Sequence, residues 1–160
     1  MIRHTYPVRI GWGDCDPAQI VFYPNYFAWF DQGAHLLFDH LGLPMGQLAE
    51  DYGVVGLPIV DAKAKFLRPS KYWDKIEVTS WVSEVREKTL VVSHEVRNTG
   101  QLAVEGSEVR VWASVHPEDS NRLQAMAIPE VVRRQVLASE GGSRLAQIQS
   151  DQQEQSLTGA

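Results

Sequence analysis

Apolar and polar positions change period several times along the chain, and each change marks an element. Val8 and Ile10 flank Arg9, and Trp12 continues the apolar side, so residues 4–12 predict a first strand. The stretch Gly13 to Pro17 breaks it. Asp16 precedes a proline and is kept out of the α region, so a turn is expected there. From Pro24 to about His40 the spacing becomes three and four: Tyr23, Phe27, Phe30, Ala34, Leu37, Phe38 and Leu41. That face is wide and aromatic, as befits a central helix wrapped by a sheet. Pro24 suits the first helical position, and Gly42 is a good stop. Pro44 to Tyr52 predicts a short helix or turn that ends at Gly53.

The period then drops to two. In Ile59–Leu67, Val60, Ala62, Ala64 and Phe66 oppose Asp61, Lys63 and Lys65, and Pro69 closes the strand. Lys75–Arg86 carries Ile76, Val78, Ser80 and Val82, and runs into a charged corner at Glu84–Lys88. Thr89–Asn98 and Leu102–His116 follow, joined by the turn Asn98-Thr99-Gly100. In the last strand Val109, Val111, Ala113 and Val115 alternate with Arg110, Trp112 and Ser114. Long strands with short links read as antiparallel. Pro117–Asn121 predicts a turn, Leu123–Ile128 an edge strand, and Pro129 to about Ser139 a closing helix. The expectation is one α+β domain over 1–139, with five or six strands around the long helix. Trp81, Trp112 and the second faces of the strands need cover, which points to an oligomer. From Gly141 the chain turns to Gly, Ser, Gln and Asp, so 140–160 is expected to be a flexible tail.

Composition narrows the function. The chain has 160 residues, 44% of them hydrophobic and 22% charged, which fits a folded domain. A net charge of −5 gives no reason to expect nucleic-acid binding. No apolar run reaches the roughly 20 residues of a membrane span, and the N-terminus lacks a signal segment. A single cysteine, Cys15, fits a reducing cytoplasm and argues against a cysteine-based metal cluster.

The chemistry concentrates between Gly13 and Tyr26. Asp14, Cys15 and Asp16 share a tight turn, and a helix start follows at Pro24. Early backbone N–H groups of a helix are free and favour negative charge. A carboxylate beside such donors can attack or activate water while the donors hold a developing oxyanion. Asp14 reads as a loop holder through Asx-type bonds, and Cys15 has no base beside it. Arg86 and Lys88 at the charged corner are candidates for binding phosphates. Lys63, Lys65, Arg68 and Lys71 form a second cationic patch.

Gly-Asp-Cys-Asp-Pro-Ala at 13–18, followed by Ile-Val-Phe-Tyr-Pro-Asn-Tyr at 20–26, resembles the 4-hydroxybenzoyl-CoA thioesterase family of hotdog-fold enzymes. The likeness continues through Gly42-Leu43-Pro44, Gly56-Leu57-Pro58-Ile59-Val60 and Glu108-Val109-Arg110-Val111. The resemblance implies a hotdog fold whose subunits pair sheets edge to edge, often as a dimer of dimers. It implies hydrolysis of an acyl-CoA thioester with no cofactor and no metal. Asp16 matches the family's catalytic carboxylate, and the Tyr23 N–H matches the donor that polarises the thioester carbonyl. Arg86 and Lys88 match the region that meets the CoA phosphates. Asp14, Gln19, Pro24, Tyr26 and Asp31 complete the expected substrate-binding set, with Asp31 facing a partner subunit. Three positions depart from the pattern. Gln19 stands where well-known members have glycine, Glu87 interrupts the cationic corner, and Met45-Gly46-Gln47 lacks an acyl-recognising tryptophan.

The expected activity is hydrolysis of an aromatic acyl-CoA, with Asp16 as nucleophile or general base. Two alternatives remain: a thioesterase for short aliphatic acyl-CoAs, and a non-catalytic acyl-CoA or acyl-carrier binding protein on the same scaffold.

Overall fold

The structure is a computed structural model, and it describes residues 1–138. The expectations for a tail over 140–160 and a helix reaching Ser139 lie outside the described residues. Strand β1 spans Arg3–Arg9, helix α1 Pro24–His40 and helix α2 Met45–Tyr52. Strands β2 (Ile59–Phe66), β3 (Lys75–Val85), β4 (Thr89–Asn98) and β5 (Gln101–Val111) follow. A short hairpin, β6 (Ala113–His116) and β7 (Asp119–Ala125), precedes helix α3 (Glu130–Leu137). The main sheet runs β1-β3-β4-β5-β2, and every neighbouring pair is antiparallel.

Helix α1 packs on one face of this sheet, against β1, β3 and β4. Its bounds are those the hydrophobic spacing predicts, with Pro24 in the first turn. Gly53 ends α2 in the left-handed conformation, at φ 66°. The buried stripe of α1 is Tyr26, Trp29, Phe30, Gly33, Ala34, Leu37 and Phe38. Phe27 is only half-buried, and Tyr23 lies 59% exposed. The stripe is therefore rotated from the expected one, because the sheet covers the Trp29 side and leaves the Tyr23–Phe27 side open.

Four strand expectations need correction. Trp12 does not extend β1; it is 79% exposed in a short 3-10 turn, Trp12–Asp14. The predicted strand Leu102–His116 is split at Trp112, after which β6 leaves the main sheet to pair with β7. Trp112 is buried, not waiting for cover, because it points inward with Glu108 and Arg110 while Val109 and Val111 take the outer face. Strand β2 is exposed along nearly its whole length, Val60 and Phe66 included, because it is an edge with no cover from this chain. Trp81 does face outward, with the Arg3 guanidinium 3.8 Å from its ring centre.

The core divides in two. One cluster holds Tyr6, Ile10, Tyr26, Phe30, Ile76, Val78, Val96 and Val104. The other holds Leu37, Phe38, Val82, Leu90, Val92, Trp112 and Val132. Between them a polar band crosses three strands: Ser80 on β3, His94 on β4, and Glu108 and Arg110 on β5, all buried. Ser80 pairs with His94, and His94 with Gly106, in register. Gly106 gives Phe30 its seat. A Cβ there would come 2.4 Å from Phe30 Cε2, and the Phe30 ring stacks on His94 with centroids 4.5 Å apart.

Candidate active site

Backbone bonds fold the segment Cys15–Val21 back on itself. Cys15 and Val21 form an antiparallel bridge, and the Asp16 N–H donates to the Ile20 carbonyl at 3.0 Å. The loop is also stitched to the segment before β3, through an Ile20–Lys71 bridge and a Val21 N–H to Ser70 bond of 2.9 Å. Gln19 takes the turn at φ 64°. That left-handed conformation suits glycine, which is what the family resemblance offers at this position.

Asp14 is a scaffold residue. Its Oδ2 accepts the Gly11 N–H at 2.7 Å, and its carbonyl accepts the Phe22 N–H and the Asn25 amide, both at 2.8 Å. These bonds clamp the acidic turn against the start of α1. Asp16 is half-buried, and its Oδ1 accepts the Ala18 N–H at 2.8 Å. Oδ2 has no partner among the described residues. At the helix start, the Asn25 N–H donates to Phe22 and the Tyr26 N–H to Tyr23, while Pro24 has no N–H to give. The Tyr23 N–H alone donates to nothing among the described residues. A spare carboxylate oxygen and a spare helix-start donor thus belong to one clamped unit.

Two clefts flank this side of α1. The first, about 360 Å³, is lined by Ile20, Tyr23, Tyr26, Phe66, Arg68 and Ser70 among others. Tyr23 and Tyr26 approach Phe66, at centroid distances of 6.2 and 5.7 Å. Burial pushes the Tyr26 phenol pKa up, so it stays protonated at neutral pH. The second cleft, about 730 Å³, is bounded by α1, α2 and the loop before β2. Met45, Val54, Leu57 and Ile59 make it mainly apolar, with Asp31, His35 and Arg110 as its charged or titratable groups. Asp31 Oδ1 accepts from Arg110 Nη2 at 2.7 Å, and His35 Nε2 lies 3.6 Å from the same oxygen. Pattern reading missed Arg110 as a site residue. The alternation gave no signal for it, because Val109 and Val111 look like the core face of the strand and place Arg110 on the other side.

Arg86 and Lys88 stand apart from Asp16. The Asp16 loop is tied to the segment just before the Lys75 end of β3, through the Ile20–Lys71 bridge and the Val21–Ser70 bond of 2.9 Å. Arg86 follows the other end of this 11-residue strand, roughly 33 Å away at the rise of an extended chain. Its guanidinium grips Glu84 at 2.8 and 3.0 Å, and its carbonyl accepts Arg133 Nη2 at 2.8 Å. Glu84 holds the Arg86 pKa above its ordinary value, and Arg86 lowers that of Glu84. No helix among the described residues is long and apolar enough to cross a membrane.

Comparison with known proteins agrees with this architecture. A family model described as the thioesterase-like superfamily matches residues 10–136. A 4-hydroxybenzoyl-CoA thioesterase from Pseudomonas sp. (strain CBS-3) is 37% identical over 131 residues, which is 78% of this chain and 91% of that protein. The crystal structure of an Asp-to-Asn mutant of 4-hydroxybenzoyl-CoA thioesterase, complexed with 4-hydroxybenzoyl-CoA, matches with a TM-score of 0.77 and 36% identity, over 84% of this chain and 98% of that one. A gentisyl-coenzyme A thioesterase matches with a TM-score of 0.70 and 32% identity, over 84% of this chain and all of the other. The chain belongs to the thioesterase-like superfamily. Its fold is the α+β hotdog fold, and it is a thioester hydrolase of the acyl-CoA thioesterase class.

Proposed function

We propose that the protein hydrolyses an aromatic acyl-CoA, of the 4-hydroxybenzoyl or benzoyl kind, to the free acid and CoA. The observation that carries this reading is that one clamped unit of loop and helix start holds both a spare Asp16 oxygen and an unused Tyr23 N–H. In the covalent route Asp16 attacks the thioester carbon. The C–S bond breaks, CoA leaves as its thiolate, and water opens the mixed anhydride to regenerate the carboxylate. In the direct route Asp16 takes a proton from the attacking water, the C–S bond breaks, and the proton passes from Asp16 to the departing CoA sulfur. Either way the developing oxyanion accepts from Tyr23 N–H, favoured by the helix dipole.

The edge strand supports a composite site. Strand β2 runs from Ile59, which lines the Asp31 cleft, to Phe66, which lines the Tyr23 cleft. Antiparallel pairing of two β2 edges about a two-fold axis would set the Phe66 end of one copy against the Ile59 end of the other. The Asp16–Tyr23 unit of one subunit would then face the Asp31 cleft of its partner, which takes the acyl group. The apolar walls suit an aryl ring, and Asp31 suits a ring hydroxyl. Gln19, Pro24 and Tyr26 shape the entrance, and Asp14 holds it. Arg86 and Lys88 reach the CoA phosphates from another subunit of a dimer of dimers, since their own Asp16 is too far away. The single cysteine suits work in the cytoplasm.

Substrate profiling tests the acyl assignment. Thiol release should be faster with 4-hydroxybenzoyl- and benzoyl-CoA than with butyryl-CoA. Equal rates would remove the aryl preference and favour an aliphatic thioesterase.

A further inference from the structure

The polar band beneath α1 takes no direct part in that chemistry. Ser80, His94, Glu108 and Arg110 are each at most 2% exposed. Burying such groups is expensive unless each is paired, and an apolar replacement is often no less stable. Here the pairing is continuous. Ser80 Oγ lies 2.8 Å from His94 Nδ1, and His94 Nε2 lies 3.4 Å from Glu108 Oε2. Burial lowers the His94 pKa, so the ring is neutral at neutral pH. Glu108 Oε2 already accepts from Arg110, so His94 Nε2 carries the proton towards that oxygen and Nδ1 accepts from the Ser80 hydroxyl. Arg110 then reaches Glu108 Oε2 from Nε at 3.0 Å and from Nη2 at 2.7 Å. The same Nη2 donates to Asp31 at 2.7 Å, and Nη1 lies 3.4 Å from the Leu57 carbonyl.

The chain therefore has one outlet. Asp31 alone is half-exposed, with a side-chain exposure of 51%, and it lines the cleft. Arg110 joins β5, α1 and the loop before β2 at that point. We propose that Ser80, His94, Glu108 and Arg110 form a positioning relay that fixes the Asp31 carboxylate at the cleft wall, so that residues under the helix set the preference for acyl groups bearing a hydrogen-bond donor. This rests on the reading that the acyl group enters the Asp31 cleft.

The test measures kcat and KM with 4-hydroxybenzoyl-CoA and benzoyl-CoA for wild type, Glu108→Gln, Arg110→Lys and Asp31→Asn. Glu108→Gln keeps the volume and removes the charged anchor. The 4-hydroxybenzoyl over benzoyl ratio of kcat/KM should fall by about tenfold or more, as loss of a charge-assisted hydrogen bond implies. The change should sit in KM for the hydroxylated substrate, with benzoyl-CoA kinetics within about twofold of wild type. A purely structural role would lower both substrates together, and that result, or an unchanged ratio, overturns the relay. Arg110→Lys keeps the charge but cannot fork to Glu108, Asp31 and Leu57 at once. It reads the same ratio if Glu108→Gln does not fold. The two possible failures separate cleanly. An unchanged ratio in Asp31→Asn overturns the cleft reading and the relay with it. A fall in Asp31→Asn without one in Glu108→Gln overturns the relay alone.

Discussion

Arg110 donates to Asp31 at 2.7 Å and so ties the inner face of the sheet to the helix that covers it. The same guanidinium neutralises Glu108, which is 1% exposed. Arg110→Met would leave that carboxylate buried without its partner. Removing one member of a buried pair costs about 3–5 kcal/mol. Urea denaturation should show a loss of that order, and a loss under about 1 kcal/mol would mean that Glu108 finds other compensation.

Phe30 and Gly106 make a second test of the packing. A methyl group at 106 would fall 2.4 Å from Phe30 Cε2 and 2.9 Å from the Lys63 carbonyl. Phe30 cannot yield without leaving its stack on His94. Overpacking of this kind costs about 1–3 kcal/mol. Gly106→Ala should therefore lower the melting temperature. Gly46→Ala is the control: a Cβ there meets nothing within 4 Å, and alanine suits a helix better than glycine. It should melt at or above the wild-type temperature.

Stability should fall on mild acidification. Burial holds the His94 pKa below its ordinary 6.5, against the opposing pull of Glu108. Burial does the same for His4, helped by His40 and opposed by Asp39. Between the lowered folded values and 6.5, the unfolded chain binds more protons than the native one, so stability rises with pH there. The contribution is fully present above about pH 6.5 and is lost as pH falls below it. Melting temperature measured from about pH 7.5 down to 5.5 should drop. His4→Gln should keep the His94 share of that drop. A flat profile would mean that neither ring is held neutral by burial.

Sequence periodicity was most informative where one chain supplies both partners of a contact. Helix α1 begins and ends where its spacing and caps place it, and β4 matches its predicted bounds. Orientation was less legible. In β5 the valines look like the core face, yet Glu108, Arg110 and Trp112 point inward. A buried ionic network inverts the usual link between polarity and exposure. Strand β2 looks half-buried, but this chain has nothing to cover it. The Gly13–Tyr26 stretch announced a turn and a helix start. Which donors stay free there depends on bonds from Phe22 and Asn25 back to Asp14, which no spacing rule reveals.

The proposed hydrolysis turns on Asp16, and the most direct measurement is free-thiol release from 4-hydroxybenzoyl-CoA by wild type and Asp16→Asn. Asparagine keeps the shape and can keep the Ala18 N–H bond, so the turn should survive. Loss of a nucleophile or general base should lower kcat by about a hundredfold or more while substrate still binds. An Asp16→Asn variant that releases thiol at the wild-type rate would contradict the catalytic assignment. A wild type that binds the ester and releases no thiol would return Asp16 to the role of a turn residue in a binding protein.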